Sequence, residues 1–115
     1  MRQRVRAMAV ESGLSLVDQT KVVTAASELA RNTLDYGGGG TVDIEVVNGA
    51  QRGVRLVFAD QGPGIKDIEI ALRDGYTTGS GLGLGLGGAK RLCSEFNIES
   101  APGQGTRVVC SRWKT

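Results

Sequence analysis

The stretch that most restricts the fold is GSGLGLGLGG at residues 79–88, where six of ten positions are glycine. Glycine loses more backbone freedom on ordering than any other residue. A chain of 115 residues that concentrates it directly before a helical pattern must gain something from bare backbone. Backbone N–H groups can cradle a phosphate only where no side chain blocks the approach. A following helix start adds unpaired donors and a partial positive charge. The alternation with Leu82, Leu84 and Leu86 lets leucines anchor the loop inward while glycines face an anion, whereas a plain flexible linker has no use for leucine. The spacing is neither GxxxxGK[ST] nor a dinucleotide fingerprint after a first strand.

The rest of the chain says what such a loop is attached to. Residues 2–12 read as a helix with Val5, Met8 and Ala9 on one face, stopped at Gly13. The chain begins abruptly in this element, so an upstream strand is expected to be missing. Asp18 reads as the N-cap of a second helix, QTKVVTAASELARNTLDY, with Val22, Ala25, Ala26 and Leu29 as its apolar stripe. TVDIEVVN and GVRLVFAD alternate as strands, and the GAQRG between them suits an antiparallel hairpin. PGIKDIEIALRDG reads as a short helix and GGAKRLCSEF as another. NIES and TRVVCSRW read as strands joined by APGQG. Strands grouped between helices predict an α+β fold, a mostly antiparallel sheet covered on one face by helices.

Composition removes several functions. The 14 basic and 12 acidic residues are too balanced for a nucleic-acid binder. Histidine is absent, which excludes a serine–histidine triad, a histidine metal site and a histidine phosphoacceptor. No apolar run approaches the roughly 20 residues of a membrane span, and MRQRVRAMAVESG is too charged for a signal peptide. Aromatics are only 4%, so the core must be aliphatic. One domain over 1–115, cytoplasmic, with Cys93 and Cys110 as free thiols, is the expectation.

Two further motifs carry chemistry. In DQGPG, Asp60 ends an apolar strand, where a carboxylate can accept a hydrogen bond from an exocyclic amine such as that of adenine. Gly62 and Gly64 let the chain turn closely around a flat ligand. The same residues also build ordinary strand-ending turns. In ELARN, Glu28 and Asn32 are one helical turn apart on one face. Glutamate can serve as a general base and asparagine can offer oxygen to Mg²⁺. A solvated helix face has the same appearance.

Taken together and in this order, the motifs resemble the GHKL ATPase family, whose nucleotide site is the Bergerat fold, a two-layer sandwich. Glu28 and Asn32 match its N box, residues 60–64 its G1 box, Gly79, Ser80, Gly81, Leu82, Gly83 and Leu84 its G2 box, and Gly105-Thr106 its terminal GT motif. The likeness spans residues 15–113. SELARN, DQGPGI and DGYTTGSGLGLGLGGAKRL bring the chain nearest to small anti-sigma-type serine/threonine kinases, the RsbT-like switch kinases of bacterial stressosomes. Gly87 departs from that pattern, where a stiffer residue is expected.

The resemblance implies ATP and Mg²⁺ as cofactors, with Asp60 on the adenine amine, Thr106 beside it and Asn32 on the metal. It implies nucleotide contacts from Gly62, Gly64, Ile65, Thr78 and the 79–84 loop, and Glu28 as the base. It implies a STAS-domain scaffold or antagonist as substrate, a downstream phosphatase as later partner, and a homodimer. Nucleic acid and membrane are not among the expected partners. Two alternatives are an anti-sigma factor kinase that binds a sigma factor directly and a non-catalytic nucleotide-dependent binding module. Residues 76–88 hold no Lys or Arg, so any cation that meets the γ-phosphate must come from elsewhere, with Arg31, Lys90 and a partner among the candidates.

Overall fold

In the computed structural model, residues 1–72 and 85–114 are described. Helix α1 (Arg2–Glu11) buries Val5 and Ala9, with Met8 packed at the margin, as their spacing predicts. Gly13, at φ 84°, turns the chain out of it. Helix α2 (Leu16–Asp35) presents Val22, Ala25, Ala26 and Leu29 to the core.

The cap of α2 is Ser15, not Asp18. The Ser15 hydroxyl accepts from the Asp18 N–H at 3.1 Å, which places Asp18 inside the first turn. A serine three residues before an acid is the capping-box spacing, so SLVD supports either reading until the register is known. The Asp18 side chain is taken by Arg112, whose Nη2 and Nε donate to Oδ1 at 2.7 and 3.2 Å. Arg112 also donates to the Leu92 carbonyl at 3.2 Å, so one guanidinium joins α2, the last strand and the segment after the last helix.

The Arg112 hydrogen bond holds the Asp18 carboxyl below the usual carboxylate range, against the opposing effect of burial. A folded-state pKa below the unfolded one stabilises the protein above the unfolded value. That contribution is lost as pH falls through the folded value. Asp18→Asn is therefore expected to lower stability near neutrality by about 1–3 kcal/mol. Its deficit relative to the parent should shrink in acid. Urea unfolding of both proteins at pH 7 and pH 3 checks this, and a deficit independent of pH would show that the ion pair is not its source.

Four strands follow: β1 (Gly40–Asn48), β2 (Arg52–Asp60), β3 (Glu95–Ser100) and β4 (Thr106–Trp113). Their spatial order is β1-β2-β4-β3, with every pairing antiparallel. The register sets Val42 opposite Phe58, Ile44 opposite Leu56, and Leu56 in turn opposite Cys110. This face packs on the helices and completes an aliphatic core. The expected α+β arrangement, helices over one face of an antiparallel sheet, is what the chain forms. Among the described residues no helix is long and apolar enough to cross a membrane.

Three other expectations change. Helix α3 is only Ile68–Ala71, begun by Asp67, whose carboxylate accepts from the Ile70 N–H at 3.1 Å. Helix α4 (Gly85–Arg91) ends before SEF, and Glu95 and Phe96 open β3 instead. The sheet recruits them: Ser94 N–H donates to the Ser111 carbonyl at 2.8 Å and the Ser94 hydroxyl accepts from Trp113 N–H at 3.0 Å. The cysteines are not free thiols. Cys93, just beyond α4, lies over the core-facing Cys110 with Cα atoms 6.0 Å apart, and the two form a disulfide.

Candidate active site

Helix α2 brings the first pair of site residues. Its core stripe turns Leu29 inward and leaves Glu28 and Asn32 at the edge of the helix layer. The Glu28 side chain is only 11% exposed, and its Oε2 lies 3.9 Å from Nη1 of the more exposed Arg31. One turn on, Asn32 is half-buried and lines a cavity of about 270 Å³. The wall is shared by Tyr36 at the end of α2, by Ile65, Lys66 and Asp67, and by Gly85 at the start of α4.

Strand β2 brings Asp60. Its neighbours explain the glycines around it. Asp60 Oδ1 accepts from the Gly62 N–H at 2.9 Å, curling the chain back at the strand end. A Cβ on Gly62 would sit 2.6 Å from the Gly37 Cα, too close for any side chain. Gly64, at φ 78°, holds a backbone conformation that other residues rarely adopt, and the Tyr36 hydroxyl donates to its carbonyl at 3.1 Å. The tip of α2 is thereby fastened to the DQGPG turn.

Thr106 faces Asp60 directly across the β2–β4 pairing. Both are buried, and both border a second cavity of about 560 Å³. Ser100 organises this end. Its hydroxyl accepts from the Ile65 N–H at 2.7 Å, lies 2.9 Å from the Gly105 carbonyl, and pairs with the Thr106 hydroxyl at 2.8 Å. Gly103 N–H reaches the Pro63 carbonyl at 2.7 Å, so the β3–β4 turn and the DQGPG turn form one unit.

The structure thus gathers the expected residues into two adjoining groups. Asn32 and Ile65 share the smaller cavity, while Asp60 and Thr106 share the larger. Gly62 and Gly64 build the turn between them, and Glu28 lies one helical turn from Asn32. Thr78, Gly79, Ser80, Gly81, Leu82, Gly83 and Leu84 lie outside the described residues. Three contributors escape a motif reading: Tyr36, Ser100 and Lys66. Tyr36 had a usable signal, since it follows Asn32 by four residues on the same helix face. Ser100 had none, because a serine ending a strand is ordinary.

The donor set suits a nucleotide that brings its own metal. Among the described residues no cluster of three or more His, Cys, Asp or Glu exists that would hold an ion unaided. Asn32 offers one neutral oxygen at the cavity wall, which fits a hard cation already shared with phosphate oxygens.

Sequence comparisons point the same way. Residues 17–114 match the family of histidine kinase-, DNA gyrase B- and HSP90-like ATPases. The serine/threonine-protein kinase RsbT of Bacillus subtilis is 45% identical over 97% of this chain and 85% of its own length. An anti-sigma F factor of Thermoanaerobacter sp. is 27% identical over 97% of this chain and 82% of its own. That of Clostridium novyi is 29% identical over 81% and 69%. The chain therefore belongs to the histidine kinase-, DNA gyrase B- and HSP90-like ATPases, the GHKL family, and stands with its small serine/threonine kinases.

Proposed function

We propose that this serine/threonine kinase transfers the terminal phosphoryl group of ATP to a hydroxyl of a STAS-domain scaffold or antagonist protein, and then passes to a downstream phosphatase as a partner-switching regulator in the cytoplasm. The observation that carries the mechanism is the pairing of Glu28 with Asn32 on α2, the asparagine at a cavity wall and the glutamate largely shielded beside it. Asp60 would accept from the adenine amine, and Thr106 borders the same cavity. Asn32 would hold Mg²⁺ through its amide oxygen, and the ion would supply charge neutralisation to the phosphates. Thr78 and residues 79–84, which lie outside the described residues, are assigned to the phosphates on their motif alone. Glu28 takes the proton of the attacking serine or threonine hydroxyl. Such transfers depend chiefly on positioning and electrostatics, which is what a rigid helix bearing both residues provides.

The 45% likeness to RsbT, against 27% and 29% for the anti-sigma F factors, favours a scaffold or antagonist substrate over direct capture of a sigma factor. The test is incubation with labelled ATP, Mg²⁺ and the proteins encoded beside this chain, any STAS-domain protein among them included. Label on a serine or threonine, located by mass spectrometry, is expected. Absence of transfer to any of them, with a sigma factor co-purifying instead, would overturn the reading.

A further inference from the structure

The glycine loop leaves a charge unanswered, since residues 76–88 contain no Lys or Arg while the phosphates of a nucleotide are strongly anionic. Of the cations weighed from the sequence, neither lines the Asn32 cavity. Arg31 is drawn towards Glu28, 3.9 Å away. Lys90 is exposed near the C-terminal end of α4, whose opposite end, Gly85, is the part that borders the cavity.

Lys66 does line it, and it is the one cation to do so among the described residues. Its root is fixed, because the preceding Ile65 N–H is held by the Ser100 hydroxyl at 2.7 Å. Its side chain is exposed and enters no ion pair among the described residues. The adjacent Asp67 has a carboxylate oxygen engaged by the Ile70 N–H. A fixed root with a long flexible stem lets an ammonium follow a mobile anion, which a short or stacked side chain does not allow.

We propose that Lys66 supplies the positive charge that meets the phosphate chain of the nucleotide, making it a specificity-determining residue for nucleotide over nucleoside. This rests on the ATP reading above. The motif itself does not demand a lysine there: the G1 box ends at Gly64, and Lys66 is recruited by its place on the cavity wall.

The experiment is titration calorimetry of the parent, Lys66→Ala and Lys66→Arg with Mg-ATP, with adenosine measured by competition. Lys66→Ala should bind ATP about tenfold more weakly, the effect of one lost charge-assisted contact. Its adenosine affinity should be unchanged, and Lys66→Arg should retain most of the ATP affinity. Raising the salt should weaken the parent more than Lys66→Ala. Equal ATP affinity in parent and Lys66→Ala overturns the assignment. So does an equal loss for adenosine, which would make Lys66 a packing residue. A parent that binds no ATP at all would instead remove the nucleotide reading, so the two failures are separable. An unchanged melting temperature, expected of an exposed side chain, excludes misfolding as the cause.

Discussion

Glu28→Ala is expected to slow phosphoryl transfer by about 10²- to 10⁴-fold, the usual contribution of a positioned general base. ATP affinity should stay nearly intact, because a base in the proposed role would meet the attacking hydroxyl and not the nucleotide. The substitution is well placed for a clean reading. Glu28 lies off the core stripe of α2, and alanine is the best helix former, so the helix should survive. Asn32→Ala should differ in kind, with Mg-ATP binding and transfer falling together. Glu28→Ala should also still bind its partner protein and so behave as a substrate trap. Single-turnover phosphorylation beside ATP affinity distinguishes these outcomes. Transfer at the parent rate would make Glu28 a helix-surface residue and sink the base assignment.

Asp60→Asn is the second large effect. The asparagine can keep one oxygen for the Gly62 N–H, now held at 2.9 Å by Oδ1, so the turn should remain. What changes is the other half of the group: an NH₂ donor replaces an acceptor where, in the proposed site, the adenine amine would need one. Loss of a bond to a charged group, about 1.5–3 kcal/mol, should weaken ATP binding roughly 10- to 100-fold. Calorimetry decides it, and equal affinity would reduce Asp60 to a turn-former.

Much of this arrangement is visible in the residues because it follows from local periodicity. The stripe Val22, Ala25, Ala26, Leu29 and the alternation Val54, Leu56, Phe58 each fix which way an element faces, and the burial follows both. Glu28 and Asn32 then need only the helix pitch to fall together. What was not legible depends on partners distant in sequence. Asp18 looked like a cap because its real partner, Arg112, is 94 positions away. SEF looked helical because nothing nearby shows that Ser94 will bond to Ser111 and Trp113. Cys93 and Cys110 lacked any telling spacing, and only the sheet register and the end of α4 bring them together. Ser100 became a hub through two turns that no single window of sequence contains.

Helix α2 is fastened near both ends, to β4 through Asp18 and Arg112 and to the DQGPG turn through Tyr36 and Gly64. It therefore acts as a fixed-length spacer. An extra residue anywhere between those fastenings would rotate all that follows by about 100°. The carboxylate at 28, the amide at 32 and the hydroxyl at 36 could not all be reseated at once. Length variation among relatives should thus be purged from this helix and tolerated in the connector at 49–51, where the strands on either side are already paired. The helix is in effect a reading frame for the site: substitutions along it are negotiable, but changes in its residue count are not.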